Sequence, residues 1–493
     1  MSKNGAMIQY FEWYLPDDGN HWQRLTEDAK HLQEIGISLV WMPPATKATG
    51  TNDVGYGIYD LYDLGEFDQN GAVRTKYGTK QEYLTAIKAL HDQGILAIAD
   101  VVLNHKAGAD EPERFPAYEV DPQNRQKKVS DDYEIEGWTK FTFPGRQGKY
   151  SEFKWNWTHF SGTDFNQENG KKAIYMIKGT AKGWAENAEV DSEYGNYDYL
   201  MGCDLDFGSP EVRDELTRWG RWYLDTTGVD GFRIDAVKHI PAWFFPQWLK
   251  AMCDHARKDL FSVAEFWDPD LDNLRRYIDM TAGLLSLFDV PLHFAFHSAS
   301  IARADYDLRT IFDGSLVQVD PHHAVTFVAN HDSQPLQAPE SVVEPWFKPL
   351  AYALVLLRRE GYPCVFVADY EGASYRDRGS DGQQYDIEMP SFKPLLDKML
   401  EERKTGTFGQ QRDYFDHPNT IGWTFSGDAS HPRSMAVLLS NGDEGTKCME
   451  TGKRSTIYVD CTGNRSGTVT TDAQGIGVFH CNGASVSVWI ETH

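Results

Sequence analysis

Short apolar runs alternate with longer segments of helical periodicity over about the first 370 residues of the chain. Turn residues bound each apolar run, and this alternation is typical of parallel strands joined by crossover helices. Eight such runs predict a closed (β/α)8 barrel. The predicted strands are Met7–Trp13, Ile37–Met42, Ile95–Leu103, Val229–Asp235, Phe261–Phe266, Leu284–Val290, Val325–Asn330 and Cys364–Ala368.

One crossover helix has clear start and stop signals. Ser209 is the expected N-cap, Pro210 the first helical residue, and Gly228 can end the helix. The apolar residues between them fall on one face, at Val212, Leu216, Trp219 and Tyr223.

Two departures from the alternating pattern predict further domains. About a hundred residues separate the third and fourth strands, whereas a βα loop usually has about 2–6, and this insert has the composition of irregular β structure. After about residue 400, short alternating strands predict an antiparallel β-domain. We therefore predict an α/β fold with three parts: a TIM barrel (residues 1–103 and 208–399), an inserted β-rich domain (104–207) and a C-terminal antiparallel β-sandwich (400–493).

Composition and charge narrow the classes of partner. The chain has 493 residues, more than one hydrophobic core usually serves, which agrees with several domains. Its formal net charge of −25 would repel phosphate backbones and anionic membrane surfaces. No apolar run reaches the roughly 18 residues of a membrane span. We expect no nucleic-acid partner, no membrane partner, and a monomer.

The N-terminus and the cysteines predict a cytoplasmic protein. Residues 1–6 lead almost directly into the first strand, which leaves no room for a secretory signal. The cysteines are spread without a close pair, and we expect reduced thiols. They are Cys203, Cys253, Cys364, Cys448, Cys461 and Cys481.

Polar residues follow the third, fourth, fifth and seventh strands, where barrel enzymes carry their reacting groups. In the fourth strand, the period of two puts Arg233 and Asp235 on the same face, so the guanidinium can keep the carboxylate ionised. An ionised Asp at a barrel mouth can act as a nucleophile. The alternative is a buried ion pair that only fills the barrel.

Two more carboxyl groups follow the fifth and seventh strands. Glu265 lies beside Trp267 in apolar surroundings, which raise a carboxyl pKa and suit a general acid. Asp332 follows His331 and could bind sugar hydroxyls, although an Asn-His-Asp turn could also be a capping arrangement. Together, three carboxylates and three histidines at one end of a barrel exceed structural need. The set predicts a glycosidase.

These segments resemble the alpha-amylase family of (β/α)8 glycoside hydrolases, and within it the liquefying bacterial type. The resemblance covers essentially the whole chain, and the motifs occur in the family's order. The four main motifs are Asp100–His105, Gly231–His239, Glu265 in Ala-Glu-Phe-Trp, and Phe327–Asp332. Further matches are Gln9–Trp13, Val54–Gly57, Tyr59–Gly65 and Asn196–Leu200.

The resemblance implies endo-acting hydrolysis of α-1,4-glucosidic bonds in starch, glycogen or maltodextrins, with retention by double displacement. It implies that Asp235 is the nucleophile, Glu265 the acid and then base, and Asp332 the transition-state stabiliser. The residues it implies for substrate binding are Trp13, Tyr56, His105, Arg233, Lys238, His239, Trp267 and His331.

The resemblance also implies a structural calcium ion in the inserted domain. The implied ligands are the side chains of Asn104, Asp198 and Asp204 and the backbone carbonyl of His239. Without the resemblance, loop turns would explain these Asx residues. Two further carboxylates expected of the liquefying type are replaced by Ser161 and Asn187, so we expect one ion only.

Two rival interpretations stay open on the residues alone. An exo-acting α-glucosidase, a maltose-forming enzyme or a transglycosylase would share the three carboxylates. A non-catalytic carbohydrate-binding or membrane-protein partner could have inherited the barrel. The match at Gln9–Trp13 and through the insert favours the endo-acting enzyme, and glycogen or maltodextrins are its expected intracellular substrates.

Overall fold

A closed barrel of eight parallel strands, in chain order, forms the centre of the protein, as a computed structural model shows. The structure describes residues 4–492; residues 1–3 and 493, at the ends of the predicted first and last domains, lie outside the described residues. The predicted fold class is confirmed. The barrel strands are Ala6–Gln9, Ile37–Met42, Leu96–Val101, Gly231–Ile234, Phe261–Ala264, Ser286–Phe288, Ala324–Phe327 and Tyr362–Phe366.

Each barrel strand falls in or beside a predicted apolar run, but most are shorter than predicted. The fourth strand, for example, is Gly231–Ile234, and Asp235 lies just beyond its last paired residue. Inward-facing side chains fill the barrel, so its interior is a packed core. They include Met7, Leu39, Trp41, Ile98, Val263, Val325 and Phe327.

Helices surround the barrel. The helix predicted from its end signals is confirmed as Pro210–Thr227, with Gly228 left-handed at φ 69°; Ser209 has an extended backbone but makes no side-chain cap bond. The α-helices are His21–Glu34, Lys80–Asp92, Pro210–Thr227, Phe244–Ala256, Leu271–Met280, Val290–Ala302, Leu316–Val319, Lys348–Leu356, Val367–Glu371 and Lys393–Gly406. Short 3-10 turns are Trp157–His159, Glu193–Gly195, Val237–His239, Arg303–Asp305 and Leu308–Thr310.

The insert between the third and fourth strands contains a seven-stranded antiparallel sheet, more ordered than the irregular β structure expected, although several of its pairings have register shifts. Its first and last strands pair with each other, Asp204 opposite His105, so both ends of the insert lie together beside the barrel mouth. A small hairpin of Lys47–Ala48 and Ile58–Asp60 precedes it. The insert strands are His105–Lys106, Glu111–Asp121, Asn124–Lys128, Tyr133–Lys140, Phe160–Asn166, Lys171–Ile177 and Cys203–Leu205.

The remaining chain forms a hairpin, a helix and a β-domain. The hairpin is Ala373–Arg378 with Gln384–Met389. The helix Lys393–Gly406 runs through residue 400, so the expected domain boundary falls within a helix. Six strands make one antiparallel sheet: Gln411–Tyr414, Thr420–Phe425, Met435–Ser440, Ile457–Asp460, Thr468–Thr470 and Ser485–Glu491. Gly445–Glu450 and Ile476–Cys481 form a second antiparallel sheet beside it.

Buried polar contacts fix this β-domain, and the helix Lys393–Gly406 before it, to the barrel. The guanidinium of Arg403 donates to the carbonyl oxygens of Gly5 at 2.9 Å and Leu356 at 2.8 Å. The indole nitrogen of Trp423 donates to the carbonyl of Leu357 at 2.6 Å. The hydrogen bonds between these parts and the barrel are therefore buried away from water.

None of the six cysteines, all within residues 4–492, forms a disulfide. Among the helices of the described part of the chain, none combines the length and apolar character needed to cross a membrane.

Candidate active site

A buried guanidinium lies at the centre of the candidate site. Arg233, on the fourth barrel strand, is 0% exposed. One of its terminal nitrogens donates to Asp235 Oδ1 at 2.6 Å, and the other donates to Glu265 Oε2 at 2.8 Å. Strand alternation predicted the contact with Asp235. The contact with Glu265 arises because the fourth and fifth strands are neighbours, with Ile234 opposite Ala264.

Asp100 is a third carboxylate on the same guanidinium, and the sequence reasoning named it only as part of a motif. Arg233 donates to its Oδ1 at 2.9 Å, while Trp41 and Tyr56 donate to Oδ2 at 3.0 and 2.9 Å. Burial raises the pKa of Asp100 to about 6, against the lowering effect of Arg233. A charged residue inside the apolar third strand was the available signal, because such a residue needs a buried partner.

The carboxyl group of Glu265 is held in an environment that favours its protonated form. Burial raises its pKa to about 8 against the lowering effects of Arg233 and of a backbone N–H bond, and the charges of Asp235 and Asp332 add to the rise. The backbone N–H of Ala236 donates to Glu265 Oε2 at 3.2 Å. Ala236 has a left-handed backbone, φ 51°, which turns the chain after the fourth strand.

Asp332 and His331 follow the seventh strand. The side-chain nitrogen of Gln9 lies 2.9 Å from His331 Nδ1, and His331 Nε2 lies 3.4 Å from Asp332 Oδ2. An amide nitrogen only donates, so Nδ1 is the acceptor and Nε2 carries the proton that faces Asp332. Burial raises the pKa of Asp332 to about 7 and, with the Arg233 charge, lowers that of His331 well below its usual range.

Three nearly parallel rings border this site. Trp13 lies 6.0 Å from Tyr56 with 4° between the ring planes, and 6.0 Å from His331 with 13° between them. Tyr56 and His331 are 5.2 Å apart at 9°. Flat ring faces of this kind suit the apolar faces of sugar rings, and the group is linked to Arg233 through Tyr56 and Asp100.

The other predicted substrate-binding residues lie toward the insert and the fifth strand. His105 donates from Nε2 to the carbonyl of Tyr56 at 2.9 Å. Lys238 Nζ donates to Glu193 Oε2 at 2.9 Å and to the carbonyl of Trp267 at 3.3 Å. His239 donates from Nδ1 to the carbonyl of Tyr197, at 2.7 Å.

Trp267 occupies the side of the site next to the seventh strand. Its ring lies 5.6 Å from that of His293 and 6.2 Å from that of Phe327. Its indole N–H is buried and meets no acceptor within residues 4–492. Arg233 is therefore in direct contact with Asp235 and Glu265, whereas Lys238 and His239 bond to residues of the insert.

The predicted calcium ligands lie where the insert joins the barrel. Asn104 Oδ1 is buried and accepts no hydrogen bond from the described residues. Burial raises the pKa of Asp198 to about 7 and raises that of Asp204 well above its usual range, and the charge of Asp198 adds to the rise at Asp204. An unpartnered amide oxygen and two mutually repelling buried carboxylates are hard oxygen donors that fit a calcium ion.

Within residues 4–492, no three His, Cys, Asp or Glu side chains cluster as ligands of one metal ion. The two positions expected to lack carboxylates are engaged in other contacts: Ser161 Oγ donates to Asp204 Oδ2, and Asn187 Oδ1 accepts from Asn196 at 2.8 Å.

Comparison with known proteins identifies the family of this chain. The model of the alpha-amylase catalytic domain matches residues 16–374. An alpha-amylase of Geobacillus stearothermophilus is 51% identical over 99% of this chain and 87% of that protein. A cytoplasmic alpha-amylase of Escherichia coli is 48% identical over 99% of each. A glucan 1,4-alpha-maltohexaosidase of a Bacillus species is 50% identical over 99% of this chain and 92% of that protein.

Solved structures share the fold at lower identity. The crystal structure of an alpha-amylase from Geobacillus thermoleovorans, complexed with acarbose, superposes with a TM-score of 0.64 at 17% identity, over 100% of this chain and 99% of that one. The family match covers most of this chain, and the related sequences span nearly all of it. The chain therefore belongs to the alpha-amylase family.

Proposed function

We propose that Asp235 is the nucleophile, Glu265 the general acid and base, and Asp332 the transition-state stabiliser of this glycoside hydrolase. The chain hydrolyses internal α-1,4-glucosidic bonds of glucans with retention of configuration, as its family and relatives indicate. The observation that carries the assignment is the guanidinium of Arg233, which contacts both Asp235 and Glu265. Retaining enzymes need two carboxyl groups only about 5–5.5 Å apart.

The two carboxyl groups enter the reaction in different protonation states. Asp235 pairs with the guanidinium of Arg233 and is positioned to attack, while burial raises the pKa of Glu265 to about 8 and favours its protonated form at neutral pH. Asp235 attacks the anomeric carbon as Glu265 gives its proton to the departing glycosidic oxygen, which leaves a covalent glycosyl ester. Glu265 then takes a proton from water, and the resulting attack on the same carbon releases Asp235. Two inversions give net retention.

The rings of Trp13, Tyr56 and His331 are proposed to bind a glucosyl unit next to the cleaved bond. Their support is the parallel arrangement of the three rings beside the carboxylates. The remaining substrate contacts are proposed for His105, Arg233, Lys238, His239 and Trp267.

The test compares wild type, Glu265→Gln and Glu134→Gln on maltoheptaose and soluble starch, with product anomers followed by NMR. We expect α-anomeric products and a kcat lower by about 10³-fold for Glu265→Gln, because the proton donor is lost. Glu134 is exposed in the insert, so its variant is the matched control. Products that are β at first release, or full activity of Glu265→Gln, would contradict the assignment.

One structural calcium ion is proposed at Asn104, Asp198, Asp204 and the carbonyl of His239. The orphaned oxygen of Asn104 and the facing carboxylates support it. When bound, the ion would neutralise these carboxylates and join both ends of the insert to the segment that follows Asp235. In this reaction the proton and the nucleophile come from side chains of the chain itself.

A cytoplasmic location with glycogen or maltodextrins as substrates is proposed as well. Its support is the Escherichia coli relative named cytoplasmic alpha-amylase, which matches along 99% of both chains. Fractionation of the native host should recover the activity with cytoplasmic markers. Recovery mainly in the periplasm or medium would exclude this location.

A further inference from the structure

A buried glutamine joins the segments that follow the first and seventh barrel strands. Gln334 is 1% exposed. Its Oε1 accepts from the backbone N–H of Trp13 at 3.1 Å, and its Nε2 donates to Glu12 Oε2 at 3.1 Å. The same Glu12 oxygen accepts the backbone N–H of Tyr14 at 2.7 Å. Both polar atoms of the amide are therefore used on one short segment.

Only an amide satisfies this arrangement. A carboxylate at position 334 could still accept from Trp13, but it would face the Glu12 carboxylate without a proton between them. A methionine would have a similar length and would make neither bond, which leaves the Trp13 N–H and the buried Glu12 carboxylate without this partner. The requirement for one donor and one acceptor distinguishes a specific polar link from simple packing.

We infer that Gln334 is a positioning residue that holds Trp13 in line with Tyr56 and His331, so that the three rings form one surface for a glucosyl unit. The inference rests on the proposed function, since it names what keeps that sugar-binding surface assembled. Gln334 accepts a hydrogen bond from the backbone N–H of Trp13. Because the indole ring is attached to that backbone, the position of the backbone sets where the ring lies. The effect on substrate thus passes through Trp13.

A second contact steadies the same segment from the other side. Gln337 donates to the hydroxyl of Tyr14 at 2.7 Å, and that hydroxyl donates to Asp377 at 2.8 Å. The ring of Tyr14 stacks on Tyr375, with centroids 3.8 Å apart. Asp377 and Tyr375 belong to the hairpin that follows the eighth strand. Gln334 therefore bonds to a segment that the hairpin already holds at Tyr14.

The experiment measures kcat and KM for maltoheptaose from pH 5 to 7.5 in wild type, Gln334→Glu, Gln334→Met and Gln33→Glu. Gln33 is exposed, so its variant adds the same charge as a matched control. We expect Gln334→Glu and Gln334→Met to raise KM about tenfold at pH 7.5 with kcat changed less than about threefold, as for lost uniform binding. The control should match wild type throughout.

Acid pH separates positioning from mere packing. In Gln334→Glu, a proton shared between positions 12 and 334 restores the lost hydrogen bond, so its KM should return toward wild type near pH 5. KM of Gln334→Met should stay raised. The other titratable groups around Glu12 are Lys76, whose charge favours ionised Glu12, and three tyrosines whose hydroxyls stay neutral because burial raises their pKa, Tyr14, Tyr77 and Tyr375.

The possible results test the positioning role of Gln334 separately from the proposed hydrolase function. An active wild type with unchanged KM in Gln334→Glu, or with a KM that does not respond to acid, would overturn the positioning role alone. A loss of kcat with unchanged KM would do the same. A folded wild type that turns over no α-glucan would overturn the proposed function, and the positioning role with it.

Discussion

At the scale of single residues, the guanidinium of Arg233 is shared by three acidic side chains. The buried guanidinium of Arg233 contacts Asp100, Asp235 and Glu265. Burial of these acids is costly, and the cost is offset only while the cation is present. The arrangement therefore serves stability and chemistry through the same atoms.

Arg233→Met should lower the free energy of unfolding by about 3–5 kcal/mol at pH 7, because removal of one partner leaves buried charge uncompensated. Urea unfolding followed by circular dichroism measures the change. Arg309→Met is the control, since Arg309 pairs with Asp307 at the surface and such pairs contribute about 0–1 kcal/mol. Equal losses in the two variants would contradict the shared role.

The pH dependence of wild type follows from Glu265. The protonated carboxyl is the active acid and its pKa is raised to about 8, so kcat/KM should be high below this pH and fall as the pH rises through it. Initial rates on maltoheptaose at low substrate concentration give the profile. An alkaline midpoint close to the ordinary Glu value of 4.5 would contradict the raised pKa.

Residue roles were predictable where they depended on local periodicity or on family motifs. The contact between Arg233 and Asp235 follows from the period of two along a strand. The contacts of Asp100 and Gln334 depend on which strands are neighbours and on loop paths, so they join positions far apart in sequence. No local pattern encodes such pairs.

At the scale of elements, the fourth and fifth strands act as one support for the reacting pair. Gly231 begins the fourth strand opposite Phe261 of the fifth. A Cβ at Gly231 would overlap the carbonyl oxygen of Phe261 and lie 2.8 Å from its carbonyl carbon. The two strands approach this closely because glycine is present.

Gly231→Ala should force these strands apart, lower stability by about 1–3 kcal/mol as overpacking does, and reduce kcat because Asp235 and Glu265 move. Thermal unfolding and kcat on maltoheptaose are the measurements. Gly228→Asn is the matched control: that position is left-handed but has open space around a Cβ, and Asn tolerates this conformation. A stable, fully active Gly231→Ala would refute the close-approach account.

The number and order of the barrel strands were predicted better than the residues at which they begin and end. Apolar runs include residues that continue past the last ladder pair, so the fourth strand was predicted to reach Asp235 but ends at Ile234. The insert was expected to be irregular, yet its strands pair across long intervals; Glu111–Asp121, for instance, pairs with Tyr133–Lys140 and Lys171–Ile177. Non-local pairing leaves little trace in local alternation.

At the scale of the whole molecule, the two ends of the insert meet at the proposed calcium site, so metal removal should loosen the insert against the barrel. With free calcium at about 100 times Kd, a single ion would stabilise the folded state by about 2.7 kcal/mol. Chelation should therefore lower Tm, and titration calorimetry should give one ion per chain. Asp198→Asn should weaken that binding, whereas Asp164→Asn, a nearby insert carboxylate, should not.

A stoichiometry of zero, or a Tm unaffected by chelation, would exclude the calcium proposal. Two ions per chain would contradict the effect assigned to Ser161 and Asn187. Their contacts with Asp204 and Asn196 are hydrogen bonds between neutral side chains and their partners, which add no negative charge for a second cation.

The register of the central strands also limits how this molecule can evolve. With Ile234 opposite Ala264, a slip by one residue would turn every side chain of a strand to the opposite face. The distance between the reacting groups therefore cannot drift gradually over generations. Loops around the mouth tolerate insertion and exchange. Changes in product length should therefore evolve through those loops, while the reacting residues and their spacing stay unchanged.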